Sequence, residues 1–407
     1  MKSDSFVPVI RFMAVSDIHI KDEPSVERER FEKAIKLAYR IARSSETYKK
    51  LDAIAVVGDF ANNGSLIQME TAKKIIDENV DKDETEVILS IASHEYHTEG
   101  GVPVATERFE KVFGEKTDKH IVINGFHFVS ASPSKGCNYD EDKKKWMHDN
   151  LSEAAKDGYE KPIFVFQHPH NTGTVYGSVL WGEDDLISTY MDFPQIIHFS
   201  GHSHAPINDP RSIHQQHFTC LGTGTLSYFE LDEFDKTCGT IPEKKENAAQ
   251  MLIVEADVNN RVRVYPYDVL TDNYFPYVWK IDKPSDPETF KYTNARYHNA
   301  SDPYFEDGAE ISIKSENENS IEIEFPQAKC ADDPYVNSYD ITVKNTDGFI
   351  VRKFSKWSEY YFYNMPETMK ITVDELESAT EYTIEVKANS FWFTSTKTPL
   401  TVKAKTK

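Results

Sequence analysis

The chain has 407 residues, 39% of them hydrophobic, and a formal net charge of −21. That length exceeds one ordinary core, so two domains are expected, and the apolar share is enough to fold both. The charge repels nucleic-acid backbones and anionic membranes, so no nucleic-acid polymer is expected as a partner; a small phosphorylated substrate stays admissible where bound cations reverse the local field.

Over the first half, strand and helix alternate, the pattern of a sheet with helices on both faces. Ile10 to Val15 reads as the first strand and stops at Ser16-Asp17-Ile18-His19. Ser25 is placed to cap a helix in which Phe31, Ala34, Ile35, Ala38 and Ile41 recur at helical spacing. The second strand, Ile54 to Val57, ends at Gly58-Asp59, and Met69, Ala72, Ile76 and Val80 mark the next helix. The third, Val87 to Ile91, ends at Ala92-Ser93-His94-Glu95, with a short helix around Phe109 and Val112-Phe113. Ile121–Ile123 and Phe126–Val129 flank Asn124-Gly125, a two-residue hairpin signal. A polar helix from Glu141 to Lys156 turns Trp146 and Leu151 inward. Two further strands, Ile163–Phe166 and Ile196–Phe199, end at Gln167-His168-Pro169-His170 and Gly201-His202-Ser203-His204.

Beyond His204 the texture turns to β, with strands at Phe218–Leu226, Met251–Ala256 and Val262–Tyr267 that suggest a second sheet packed on the first. Asp232 to Asn247 reads as a charged loop. Lys283-Pro284-Ser285-Asp286-Pro287 opens a polar linker. Short alternating strands follow at Ile311–Ile313, Ile321–Phe325, Tyr339–Val343, Ile371–Val373, Tyr382–Val386 and Leu400–Val402. The expected division is 1–283 catalytic, 284–304 linker and 305–407 a second, all-β domain.

The four cysteines, Cys137, Cys220, Cys238 and Cys330, have no CxxC spacing and form no zinc knot or dense disulfide framework; a Cys220–Cys238 bridge has nothing to support it. No apolar run of about 18 residues occurs, so no membrane span is expected. No signal-peptide core follows Met1-Lys2-Ser3-Asp4. As written the chain reads as cytoplasmic; a secreted or cell-surface protein trimmed of its leader would read the same way.

A single His at a strand end is usually structural, and a single Gly-Asp usually a turn. Five such clusters in order describe a buried sheet that delivers ligands to its carboxyl edge, where open α/β sheets bind them. Carboxylate and imidazole without thiolate suit Mn, Fe or Zn better than Ca or a structural zinc.

The order and spacing resemble the calcineurin-like metallophosphoesterases. The resemblance rests on Asp17-Ile18-His19, on Gly58-Asp59 with Gly64 five residues after the Asp, on Ala92-Ser93-His94-Glu95, on His168-Pro169, and on Gly201-His202-Ser203-His204. It implies an α/β fold, a two-sheet metallophosphoesterase sandwich flanked by helices. It also implies two divalent transition-metal ions (Mn, Fe or Zn). Asp17, His19, Asp59 and His204 would hold the first, with Asp59 bridging; His168 and His202 would hold the second. The expected activity is hydrolysis of a phosphodiester or phosphomonoester, a nucleotide among the candidates, by a hydroxide held between the ions. His94 would be the general acid or stabilise the pentacoordinate state. One position departs from the family pattern: its metal-binding Asn is Ser93 here, a shorter and weaker ligand. Asn62, Asn63, His97 and His170 are the candidate substrate contacts, and Tyr176 and Trp181 a candidate aromatic wall. His198, inside a strand, reads as core. The alternative, from a different class, is an inactive scaffold that uses the same fold to bind a partner.

Near the C-terminus, Leu376-Glu377-Ser378-Ala379-Thr380-Glu381-Tyr382 resembles the tyrosine corner of a fibronectin type III-like sandwich. That module reads as a spacer, as a docking site for a protein or a surface, or only as a cap on the catalytic domain's edge.

Overall fold

The computed structural model describes residues 5–231 and 241–407; Cys238 and residues 232–240 of the expected charged loop lie outside the described residues. The chain divides into two compact units, Met1–Thr293 and Asn294–Lys407. The segment expected as a linker is shared between them: 284–293 belongs to the first and 294–304 to the second.

The first unit opens with β1 (Pro8–Val15), α1 (Val26–Ser44), β2 (Ala53–Val57), α2 (Leu66–Asn79) and β3 (Glu86–Ser90). It continues with α3 (Gly101–Phe113), β4 (Lys119–Ile123), β5 (Phe126–Ser130), α4 (Glu141–Ala154), β6 (Ile163–Phe166) and β7 (His170–Asn171). Then come α5 (Ser178–Trp181), β8 (Gly182–Glu183), α6 (Ile187–Tyr190), β9 (Ile196–Ser200), β10 (Ile213–Gln215) and β11 (Thr219–Gly222). It ends with β12 (Gln250–Asp257), β13 (Val262–Asp268), β14 (Asn273–Tyr274) and β15 (Trp279–Ile281).

Two mixed sheets form from these strands. The first has the order β14-β13-β12-β1-β2-β3, with β15 also paired to β13; the second runs β10-β11-β9-β6-β5-β4. β1, β2 and β3 are parallel to one another, as are β5, β6, β9 and β11. Such strands are covered on both faces, which is why they read as unbroken apolar runs. Phe12 of β1 touches Phe128, Phe164, Phe166 and Phe199 of the facing sheet, with ring centroids 4.8–6.1 Å apart. Those contacts mark the interior of an α/β sandwich. On the outer face of the first sheet, α1 buries Phe31, Ala34, Ile35 and Ala38 with Met69 and Ala72 of α2 and Phe109 of α3. On the outer face of the second, Met147 and Leu151 of α4 pack with Tyr190 and Phe193. Asn124 and Gly125 take φ of 50° and 82°, the geometry of the two-residue hairpin joining β4 to β5.

Two expectations are corrected. The five strand-end clusters do not belong to one sheet: three lie on β1, β2 and β3 and two on β6 and β9. Nor do the later strands build the second sheet alone, since β12 and β13 extend the first sheet beyond β1, and only β10 and β11 join β9. Periodicity records that a strand is buried; it does not record its partner.

The second unit is an all-β, fibronectin type III-like sandwich. After α7 (Arg296–Asn299) come β16 (Ser312–Glu316), β17 (Ile321–Pro326), β18 (Ser338–Lys344), β19 (Ile350–Trp357), β20 (Thr368–Val373), β21 (Glu381–Asn389) and β22 (Leu400–Lys405). They form sheets β16-β17-β20 and β19-β18-β21-β22 around Ile321, Ile323, Ile341, Val343, Ile371, Ile384 and Val386. The Tyr382 hydroxyl accepts from Glu377 N at 2.9 Å, which is the tyrosine corner expected from the sequence. β19 has no counterpart among the expected strands: it has no fully buried residue and carries Arg352, Lys353 and Lys356.

Candidate metal centre

The loops that leave β1, β2, β3, β6 and β9 meet at one edge of the sandwich. Five residues there, Asp17, His19, Asp59, His202 and His204, hold the left-handed backbone region, with φ of 51°, 56°, 51°, 74° and 52°. Each such residue costs about 1–3 kcal/mol and persists only where its surroundings over-determine it. Those surroundings are visible. Ile18 N and His19 N both donate to Asp59 O at 2.9 and 3.1 Å, which stitches the first loop to the second. Asp17 O accepts from Thr225 Oγ1 at 3.1 Å and Ser227 Oγ at 3.0 Å. The Glu95 carboxylate accepts three backbone amides, Asp59 N, Ala61 N and Ala92 N, at 2.7–3.1 Å. Gly64, at φ 65°, passes so close to the Glu95 carbonyl that no Cβ fits there.

The strained backbone turns donors inward. Three overlapping groups, Asp17/His19/His204, His19/Asp59/His94 and Asp59/His168/His202, each bring their ligand atoms within 4.8 Å of one another. His19 Nε2 lies 3.1 Å from His204 Nε2, which in turn is 3.3 Å from Asp17 Oδ1. His168 Nε2 is 2.9 Å from Asp59 Oδ2 and 3.8 Å from Asp17 Oδ1. Ser93 Oγ donates to Asp59 Oδ2 at 3.2 Å, so the departing residue does stand at the second group.

Several ring nitrogens on the far side are fixed. His168 Nδ1 donates to Val57 O at 2.7 Å, His204 Nδ1 to Tyr228 O at 2.9 Å and His94 Nδ1 to Asn62 O at 2.8 Å. A histidine tied down this way presents the lone pair of Nε2 to the centre, the arrangement that metal-ligating imidazoles use. His168 Nε2 is buried with no aligned hydrogen-bond partner. Orphaned buried nitrogens beside carboxylates fit a divalent cation, and the donor set fits Mn, Fe or Zn.

The electrostatics agree. Burial opposes protonation of His168, but the Asp59 and Asp17 carboxylates outweigh it and raise its pKa to about 10. Burial, then repulsion from His168, pushes His202 down to about 3; burial, then His204, lowers His19 well below the ordinary value. Burial works against ionised Asp59, yet His168 and His19 hold its pKa well below the usual range. The carboxylates thus favour a proton on His168, while burial disfavours one on His19 and His202.

Around the centre the expected substrate contacts separate. The exposed His97 ring lies 4.8 Å from that of His94, at the open side. Asn62 holds His94 through its carbonyl. The Asn63 side chain accepts from Ser65 N at 3.2 Å and leads into α2. His170 is corrected: it is buried, with Nδ1 on Ser200 Oγ and Nε2 on Ser203 Oγ, both at 2.7 Å, so it braces the 200–203 loop and does not face substrate. Tyr176 is corrected as well, because it stacks on Arg211 at 3.9 Å, whereas Trp181 meets the His202 ring edge-on at 5.3 Å. His198 is fully buried within β9, as expected of a core residue. Two neighbours of the centre have no signal in the sequence: Tyr228, whose ring lies 4.2 Å from His204, and Cys137, whose Sγ is 3.4 Å from His202 Nε2. Neither belongs to a motif.

Residues 10–206 match the family model of the calcineurin-like phosphoesterases. Residues 10–206 are a calcineurin-like phosphoesterase domain. Among solved structures, purple acid phosphatase PPD1 from yellow lupin (Lupinus luteus) seeds aligns at 12% identity and a TM-score of 0.48, over 68% of this chain and 54% of its own. The alignment thus spans about half the length of that protein. A myokine structure aligns at 19% identity and a TM-score of 0.20, over 26% of this chain and 98% of its own. The fn3 domain of the human collagen alpha-1(XX) chain aligns at 14% identity and a TM-score of 0.20, over 27% and 86%. No curated protein matches the sequence. Among the described residues, no helix of the phosphoesterase domain or of the rest of the chain is long and apolar enough to cross a membrane.

Proposed function

We propose that this domain is a binuclear metal-dependent phosphoester hydrolase acting on a small phosphodiester or phosphomonoester, a nucleotide among the candidates. The observation that carries the reading is the convergence of donors from two sheets into three overlapping groups that share Asp59 and His19. Asp17, His19, Asp59 and His204 would hold one ion, and Asp59, Ser93, His168 and His202 the other. When bound, two divalent ions supply Lewis-acid activation of water and of the phosphoryl oxygens.

The chain's own part is to orient and to move a proton. Asp59, between both groups, has its carboxylate held by His94 N at 3.0 Å and by Ser93 Oγ. His94 Nδ1–H is committed to Asn62 O, so Nε2 is the nitrogen left to face the leaving oxygen, and it can donate a proton there only from the imidazolium form. The half-buried His94 ring stands edge-on to His19 with centroids 4.3 Å apart, at the boundary between the centre and solvent.

The test is hydrolysis of bis-p-nitrophenyl phosphate and p-nitrophenyl phosphate by protein loaded with Mn, Fe, Ni or Zn. Hydrolysis that a chelator abolishes is expected, and His94→Ala should lower kcat by about 100–10,000-fold while the metal stays bound. Absence of turnover with every metal overturns the enzyme reading and leaves an inert binding scaffold.

A further inference from the structure

The second donor group is where this chain departs from its family pattern, and it carries an unusual neighbour. The short Ser93 hydroxyl donates to the Asp59 carboxylate, which leaves only its oxygen lone pairs for an ion. On the adjoining side stands Cys137, in the turn between β5 and α4. That turn is closed by Ser134 N to Asn138 O at 2.8 Å and Asn138 N to Lys135 O at 2.9 Å. Cys137 Sγ lies 3.4 Å from His202 Nε2, and the Ser93 side chain reaches the same sulfur.

An imidazole cannot aim both nitrogens at one ion. With Nε2 turned to Cys137, Nδ1 is the His202 nitrogen left for an ion held with Asp59 and His168. His168 and His204 fix their outer nitrogens on the carbonyls of Val57 and Tyr228; for His202 the partner is a sulfur. The rest of His202 is pinned by its backbone N on the Asp17 carboxylate, at 3.0 and 3.2 Å, and by the Trp181 ring. A second observation points to the same group: His168 Nε2, fully buried and without a well-aligned hydrogen bond, lies 2.9 Å from the shared Asp59 carboxylate.

We propose that Cys137 is the positioning residue of the second metal. Its sulfur accepts the His202 Nε2 proton in a hydrogen bond, which fixes the tautomer whose Nδ1 lone pair binds the ion, and so supports a site weakened by Ser93. The inference rests on the two-ion reading above. It assigns Cys137 to the outer side of a ligand, where partners of this kind typically change metal affinity by about 10–100-fold.

The test is titration of metal-free wild type, Cys137→Ala and Cys137→Ser with Mn2+, followed by calorimetry and by the electron paramagnetic resonance signal of a spin-coupled ion pair. Wild type should take up two ions and develop the coupled signal. Cys137→Ala should bind the first ion unchanged and the second about 10–100-fold more weakly, with the coupled signal delayed to match. Cys137→Ser, whose hydroxyl accepts the same bond, should recover most of the loss. A Cys137→Ala protein that binds its second ion within about twofold of wild type overturns the proposal. So does equal weakening of both ions with a lowered unfolding temperature, the mark of a folding defect. A wild type that takes up one ion only overturns the two-ion reading itself.

Discussion

Gly201 tests the geometry of the centre with one methyl group. It opens the loop after β9, and a Cβ there would lie 2.5 Å from Asp17 Oδ2 and closer still to Ser16 Oγ. Ordinary contact begins at 3.4 Å, so in Gly201→Ala the Asp17 carboxylate must retreat by nearly 1 Å or the His202 loop must lift by as much. Both moves break the bonds from His202 N to Asp17. A displacement of about 1 Å in a reacting geometry costs on the order of 100-fold in rate, near 2.7 kcal/mol of barrier. The assay is kcat on bis-p-nitrophenyl phosphate beside metal content and the unfolding temperature. A folded protein with kcat lowered by on the order of 100-fold and weakened metal binding is expected. Gly201→Ala that keeps wild-type metal affinity and a kcat within about threefold would refute the claim that Asp17 and the His202 loop are held in contact by the absence of a side chain.

Two further outcomes follow from buried polar groups. Burial without a hydrogen-bond partner pushes the His198 pKa down to about 3, so the folded chain refuses a proton that the unfolded chain binds below about pH 6.5. Its contribution is therefore complete above pH 6.5 and is lost as pH falls toward 3, at up to about 1.4 kcal/mol per pH unit. In urea unfolding, His198→Leu should lose about 1 kcal/mol less than wild type between pH 7 and 5.5; equal losses would show that His198 is solvated. Glu95→Ala strands the amides of Asp59, Ala61 and Ala92, which should destabilise the metal-free protein by on the order of 3 kcal/mol in urea unfolding. Glu95→Gln, which retains one acceptor oxygen, should cost less, and a loss below about 0.5 kcal/mol for Glu95→Ala would remove Glu95 from its clamping role.

Much of the centre was legible because strand ends are. A β-branched run that stops at Asp or His announces both the strand and what its carboxyl end presents, and Asp17, His19, Asp59, His94, His168, His202 and His204 do converge at one edge. What escaped has specific causes. The partition of β1–β3 and β6–β9 between two sheets is set by pairing, on which period-2 burial is silent. The left-handed backbone of Asp17, His19 and Asp59 is imposed by tertiary bonds such as those of Ile18 N and His19 N to Asp59 O, against local preference. Histidine type alone does not separate His168, aimed at carboxylates, from His170 two residues on, spent on two serines. Cys137 lies far in sequence from every cluster, and only the folded chain brings its sulfur to His202. In the second unit, β19 went unseen because its charged, solvent-facing residues mask the alternation.

The central claim is that two ions sit between these donors and act on a phosphoryl group. A crystal structure of Mn-loaded protein with bound phosphate, read by anomalous diffraction, tests it most directly. Two peaks about 3.5–4 Å apart are expected, one among Asp17, His19, Asp59 and His204 and the other among Asp59, Ser93, His168 and His202, with phosphate oxygens on both and His94 beside them. A single peak, or none with the donors still in place, would contradict it.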